Sequence, residues 1–173
     1  MTTNTHAASG GTKAHRQRLR EAYLEVARNY PDYSLTFAAN RNTMSARDMT
    51  FMSLERFREC VRDFHKRIDT ELLGTRVSKK SRDLRTDGLM FVEHVGRNVH
   101  GHADVVFAAR GQRTPEELQA ICSRVWAKIC PGGDVLVEAQ YDGGPGLYVS
   151  KEIEHGNYDF DQTILLSTFV SKD

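Results

Sequence analysis

The residues with the clearest chemical potential lie in one apolar stretch, His100-Gly-His102, with Asp104 two positions further on. Side chains of a strand alternate between faces, so these three would share one face. Two imidazoles at this spacing can converge on one divalent ion. Burying unpaired polar groups is costly, so this face is the less suited of the two to pack beneath helices. A metal site is one interpretation, and ordinary surface or core histidines are the other.

A tight turn decides which side chain could be the third ligand. Two apolar runs flank Gly96–Asn98 and predict a β-hairpin. A two-residue loop puts Glu93 opposite His100, and a four-residue loop puts it opposite His102. A three-residue loop instead puts His94 opposite His100. We predict Glu93, because the other parity would turn this carboxylate toward the helices.

Composition sets the class of protein. A length of 173 residues, 39% apolar and 27% charged, predicts one domain with a sizeable core. The net charge of +1 gives no global basic field, so a nucleic-acid surface would have to be a local patch. Cys60, Cys122 and Cys130 form no CxxC motif, which indicates reduced core thiols and a cytoplasmic location. The sequence shows neither a signal peptide nor a membrane-spanning run, so we expect no membrane partner.

The elements that would position these residues follow from periodicity and capping signals. Residues 1–13 are predicted to be a disordered tail, and residues 14–173 one domain. Helices are expected at Ala14–Asn29, at Ser53–Leu73, from Thr114 to the Pro131-Gly-Gly stop, and at Leu147–Glu154. Strands are expected at Tyr33–Ala39, Leu89–Val95, Val99–Phe107, Val135–Tyr141 and Thr163–Val170.

This order predicts an α+β fold with a ferredoxin-like, RRM-like split βαββαβ core. The five-stranded sheet would be antiparallel, with helices on one face and the active site on the open face. Six polar side chains would line that open face. They are Glu93, His100, His102, Asp104, Glu138 and Gln140.

The segment Thr75–Asp87 is unusually basic and is predicted to be a flexible loop. Its cations could bind phosphates, or they could simply be solvated. They are Arg76, Lys79, Lys80, Arg82 and Arg85.

Near the C-terminal end, Tyr148 and Lys151 lie three residues apart in the predicted short helix, so they share a face. A glycine-rich loop precedes them. With the upstream histidines they resemble the HUH endonucleases, in particular the rolling-circle replication initiators (Rep proteins). Tyr33-Ser-Leu-Thr-Phe37 is similar to the first family motif, His100-Gly-His102 to the second and Tyr148-Val-Ser-Lys151 to the third. Gly101 departs from the bulky apolar residue usual there, and leaves room for a helix side chain above the sheet.

The resemblance implies a mechanism. Glu93, His100 and His102 would hold Mn²⁺ or Mg²⁺. Tyr148 would attack a DNA phosphate, leaving a 5′-phosphotyrosine and a free 3′-hydroxyl, with Lys151 balancing charge. Tyr158 is not expected to be a second nucleophile.

The resemblance also implies partners. The chain would nick and rejoin a single-stranded DNA origin or hairpin, and so initiate rolling-circle replication of a plasmid or phage. Thr36 of the first motif and the five cations of the basic loop would contact DNA. The sequence has no GxxxxGK[ST] motif, so unwinding would need a separate helicase. We expect the cytoplasm of a bacterium, or of the host of a mobile element.

Two alternatives stand beside this interpretation. A single-tyrosine HUH transposase has a similar core, but its tyrosine helix more often carries Gln where this chain has Lys151. The second alternative is a ferredoxin-like nucleic-acid-binding module without catalysis, in which His100 and His102 are incidental. A conjugative relaxase fits less well, because it typically carries a three-histidine cluster.

Overall fold

The computed structural model of the protein describes residues 12–39, 52–93, 99–140 and 162–170. The helices in this part of the chain are α1 (Lys13–Ala27), α2 (Leu54–Leu73) and α3 (Pro115–Ile129). Its strands are β1 (Tyr33–Ala38), β2 (Asp87–Glu93), β3 (His100–Val106), β4 (Asp134–Ala139) and β5 (Thr163–Leu165). The predicted tail up to residue 11 and the predicted helix Leu147–Glu154 lie outside the described residues.

The five strands form one sheet in the order β4-β1-β3-β2-β5, and every neighbouring pair is antiparallel. The first four strands and the helices α2 and α3 give the split βαββαβ arrangement that the sequence predicts. The strand β5 extends the sheet beside β2. The α+β fold class and the five-stranded antiparallel sheet are therefore confirmed.

Local signals set the helix ends. The hydroxyl of Ser53 accepts a hydrogen bond from the Arg56 amide at the start of α2. Gly74 follows α2 with φ of 86°, a conformation that glycine adopts at little cost. At α3, Thr114 and Glu117 form a reciprocal capping box. These residues fix where α2 begins and ends and where α3 begins.

The main core lies between the sheet and the pair α2 and α3. Trp126 of α3 is fully buried and packs edge-on against Phe37 and Phe57. A Cβ atom added to Gly101 would lie only 2.9 Å from Cε1 of Phe57. The glycine between the two histidines therefore admits an α2 side chain onto the sheet, as predicted.

The helix α1 packs on the other face of the sheet. Its residues Tyr23 and Ala27 are buried against Leu89 and Phe91 of β2. The strand β2 is apolar on both of its faces, so it needs cover on both. Helices were expected on one face only. The polar face is instead covered over β2 by α1, and Leu136 of β4 stays half exposed there.

The C-terminal strand is shorter than predicted. The strand β5 ends at Leu165, and Leu166–Phe169 continues as a 3₁₀ helix. The Ser167 amide donates to Oδ1 of Asp87 at 2.9 Å, and this hydrogen bond diverts the chain from the ladder. Leu166 enters the main core. The prediction of a strand as far as Val170 was therefore wrong.

The three cysteines are free and buried, as a core role requires. Burial raises the pKa of the Cys122 thiol to about 12. None of the helices in the described segments combines the length and apolar character that crossing a membrane demands.

Candidate functional site

The polar face arranges its side chains in rows across the strands. In the row nearest the hairpin, Glu93 of β2 lies opposite His100 of β3. In the next row, His102 lies between Phe91 of β2 and Thr36 of β1. The register is the one that a two-residue loop predicts, so Glu93 shares the face of both histidines. His94 and the turn Gly96–Asn98 lie outside the described residues.

Glu93 and His102 are in direct contact. Oε2 of Glu93 lies 3.4 Å from Nε2 of His102. On the other side of the ring, Nδ1 is 3.2 Å from Oγ1 of Thr36. The Thr36 hydroxyl therefore holds the ring with Nε2 toward the carboxylate. Fixing one ring nitrogen by a second group is how proteins orient imidazoles that bind metals.

The three predicted ligands are brought to adjacent positions, but they are not gathered into a finished centre. Across the part of the chain that is described, no three His, Cys, Asp or Glu side chains are clustered closely enough to hold an ion. Opposed strand residues have Cβ atoms about 5 Å apart and diagonal ones about 7–8 Å. Strand pairing therefore brings Glu93, His100 and His102 into neighbouring positions on one face, without placing them around a common point. If they held an ion, the two imidazoles would favour Mn²⁺ over Mg²⁺.

Asp104 occupies the third row and is only 2% exposed. Its Oδ1 accepts a hydrogen bond of 3.0 Å from the side-chain amide of Gln140, which also donates to the Tyr33 carbonyl. Burial raises the pKa of Asp104 to about 6, although Gln140 and the nearby His102 act to lower it. Strand parity places Asp104 on this face, but its burial could not be foreseen because the Gln140 contact spans distant segments.

The predicted nucleophile lies beyond the described part of the chain. Tyr148, Lys151 and Tyr158 are all outside it, as is the glycine-rich loop Asp142–Gly146. The polar face supplies the predicted metal ligands, and the pairing of Tyr148 with them stays a prediction.

The basic segment is far from this face. It precedes Asp87, whereas Glu93 ends the same strand, so the two lie about 20 Å apart along β2. Arg82 donates to the Val170 carbonyl at 2.8 Å, and Arg85 donates to the Ser78 carbonyl at 3.2 Å. The segment was predicted to be a flexible loop, but it is two 3₁₀ turns fixed by hydrogen bonds. Of the predicted DNA-contacting residues, Thr36 alone lies beside the Glu93–His102 pair.

The chain matches no protein-family model, no curated protein and no solved structure. The interpretation of its function therefore depends on the fold, the polar face and the motifs in the sequence.

Proposed function

We propose that the protein is an HUH-type, metal-dependent DNA nickase that cuts and rejoins single-stranded DNA through a 5′-phosphotyrosine. In this role it resembles the Rep proteins that initiate rolling-circle replication of plasmids or phages. The observation that carries the proposal is the polar sheet face, where Glu93 contacts His102 and lies opposite His100. The order of the three motifs along the chain adds support.

Each residue has a distinct role in the proposed reaction. Glu93, His100 and His102 would hold Mn²⁺ or Mg²⁺, which supplies positive charge to polarise the scissile phosphate. Thr36 orients the His102 ring through Nδ1. The Tyr148 hydroxyl forms the new bond to phosphorus, and the bond to the 3′-oxygen breaks. The 3′-oxygen ends as a hydroxyl after taking up the proton lost by the phenol.

Lys151 would balance negative charge on the phosphate or on the leaving oxygen. The phosphotyrosine keeps the energy of the phosphodiester, so a later attack by the 3′-hydroxyl can reseal the strand. One tyrosine supports one nick and one rejoining at a time. Because the chain carries no phosphate-binding loop for a nucleotide, we propose that a separate helicase unwinds the DNA.

One observation favours a second candidate, a nucleic-acid-binding module without catalysis. Glu93 is 6% exposed, and its Oε2 already lies 3.4 Å from Nε2 of His102, so an imidazole partners this carboxylate without any ion. In that case the pair stabilises the sheet and needs no ion. A single-tyrosine HUH transposase shares the chemistry and differs in its DNA substrate.

Formation of a covalent protein–DNA adduct distinguishes the nickase from the binding module. The full chain would be incubated with Mn²⁺ and a random pool of single-stranded DNA labelled at the 3′ end, and then run on a denaturing gel. The label belongs at the 3′ end because the phosphotyrosine retains the DNA downstream of the nick. We expect a labelled protein band with Mn²⁺ and none with EDTA. Absence of the band with every divalent ion tested would leave only the binding module.

A further inference from the structure

A groove of about 690 Å³ lies on the helical side of the molecule, between α2, the basic segment and the 3₁₀ helix Leu166–Phe169. Four cations line it, together with the half-buried Phe169. They are Arg56, Arg62, Lys66 and Arg85. A smaller groove adjoins it along the same basic segment and is lined by Arg76, Lys79 and Lys80. The cations therefore extend over two neighbouring grooves.

The acidic side chains of the larger groove are already engaged. Glu59 pairs with Arg56 at 2.7 Å, and Asp63 pairs with Arg67 at 3.0 Å. The third acid, Asp69, accepts a hydrogen bond of 2.9 Å from the Thr86 amide. The lining thus holds four cations and three carboxylates, and the side chains of Arg62, Lys66 and Arg85 form no ion pair within the described residues.

Arg62 and Lys66 are one turn apart on α2, so they project from the same side of the helix. Neither side chain makes a hydrogen bond or an ion pair with any residue in the described ranges. Two neighbouring cations repel each other, and a bound phosphate relieves that repulsion.

The basic wall of the groove is fixed in place. The buried His65 contacts the Thr86 carbonyl through Nε2 at 2.6 Å, and the Thr86 hydroxyl accepts from the Ala108 amide at 3.1 Å. Arg85 donates to the Ser78 and Lys80 carbonyls. A preformed array loses less conformational entropy on binding than a mobile loop does.

We propose that this groove binds the phosphodiester backbone of a nucleic-acid segment other than the one that reaches the polar face. The groove and Glu93 lie on opposite faces of the sheet and near opposite ends of β2. An extended row of cations suits a linear polyanion, and the half-buried Phe169 ring beside His65 offers a surface for a base or sugar. The inference depends on the proposed function only for the choice of ligand and does not need the cleavage chemistry.

The test compares two charge-matched double variants of the full chain in EDTA. The first is Arg62→Gln with Lys66→Gln. The control is Arg124→Gln with Lys128→Gln, which removes the same charge at the same spacing from the exposed side of α3 and also breaks the exposed Arg124–Glu71 ion pair. Binding of a fluorescent oligothymidylate and of a fluorescent hairpin duplex is followed by anisotropy between about 50 and 200 mM salt.

We expect the groove variant to bind about tenfold more weakly at the lower salt, and the control to bind as the unmodified protein does. Loss of two phosphate contacts should reduce the slope of log affinity against log salt by about 1.4 for a single strand or about 1.8 for a duplex. The probe whose slope changes identifies which form of DNA occupies the groove.

Three results would overturn the inference. They are an unchanged slope with both probes, an equal loss in the control, and polyglutamate binding that exceeds DNA binding and disappears in the groove variant. The last result would identify an acidic protein partner. Adduct formation is measured on the same variants, so that the two proposals are tested separately. If the groove variant binds DNA more weakly but no protein forms an adduct, the groove proposal stands and the nickase proposal fails. If the adduct forms but the groove variant binds DNA normally, the nickase proposal stands and the groove proposal fails.

Discussion

At the scale of single residues, the placement of His102 follows from strand pairing on both sides. Alternation along β3 could be predicted from His100 and His102 alone. Face parity predicted that Glu93 shares their face, although the length of the turn was left open. The contact between Thr36 and His102 joins residues 66 positions apart, so it could not be predicted from any local sequence pattern. The motif resemblance placed Thr36 near DNA, whereas the structure gives it the more specific task of orienting a ring.

Replacing His100 or His102 by alanine should abolish adduct formation and leave the fold intact. In urea titrations the free energy of unfolding should fall by less than about 1 kcal/mol for His100→Ala. The fall should be about 1–3 kcal/mol for His102→Ala, because the buried Glu93 carboxylate loses its imidazole partner. Glu93→Gln should weaken Mn²⁺ binding about tenfold or more by calorimetry. His94→Ala is the control and should bind Mn²⁺ normally. A reversal of these two results would assign the third ligand to His94.

Asp104→Asn should stabilise the protein in alkaline solution and have little effect in acid. The folded-state pKa of about 6 lies above the ordinary value of 3.8, so folding favours the protonated form. Stability is therefore complete below about pH 4 and is lost as the pH rises through about 6. Removing the charge should raise the free energy of unfolding at pH 8 by up to about 3 kcal/mol.

Urea unfolding in EDTA at the two pH values would measure this difference for Asp104→Asn. Asp134→Asn is the matched control, because Asp134 is an exposed carboxylate on the same face and should change stability by less than about 0.5 kcal/mol. Equal effects of Asp104→Asn in acid and alkali would mean that the carboxyl group acts through shape or hydrogen bonding rather than through charge.

At the scale of elements, a helix side chain forms hydrogen bonds with the free edge of strand β4. The side-chain amide of Gln119 on α3 donates to the Val135 carbonyl at 2.8 Å and accepts from the Val137 amide at 2.7 Å. These are the bonds that a peptide group of a further strand would make. Gln119 therefore blocks part of an edge that could otherwise pair with another chain.

Gln119→Ala should lower the free energy of unfolding by about 1–2 kcal/mol, because two backbone groups lose their partners. It should also promote concentration-dependent association, which light scattering can follow. Gln17→Ala is the matched control, since the Gln17 amide donates to Glu21 on the exposed side of α1. A monomeric Gln119 variant with unchanged stability would show that water replaces the amide without cost.

Local sequence patterns predicted the bounds of the helices but not where every element packs. The periodicity of α2 and the capping box of α3 were sufficient to place both helices to within a residue or two. Nothing in α1 reveals that it packs on the polar side of the sheet. The reason lies in β2, whose Leu89 and Phe91 are apolar on that side and must be covered. The end of β5 depends likewise on Asp87, a residue distant in sequence.

At the scale of the whole molecule, the sheet separates two surfaces of different character. One face carries the acid and imidazole residues and is partly covered by α1, while the opposite face carries α2 and its basic groove. The fold class could be predicted because element order restricts the possible topologies. The groove could not, because Arg62 and Lys66 belong to a helix whose periodicity reveals only its buried side.

The predicted nucleophile belongs to the connection between the two edges of this sheet. Gln140 follows β4 at one edge, and Thr163 begins β5 at the other. Four strand spacings separate these edges by about 19 Å. The proposed function requires Tyr148 to reach Glu93 and the histidines on the polar face.

Tyr148→Phe should therefore bind single-stranded DNA and Mn²⁺ normally and form no covalent adduct, because the substitution removes only the attacking hydroxyl. Tyr158→Phe should form the adduct at the normal rate, since Tyr158 follows the predicted helix stop Gly156-Asn157 and does not share a face with Lys151. Anisotropy and calorimetry measure the binding, and denaturing gels measure the adduct. Peptide mapping of the adduct in the unmodified protein then identifies the modified side chain, and a nucleotide on Tyr158, or on neither tyrosine, would refute Tyr148 as the nucleophile.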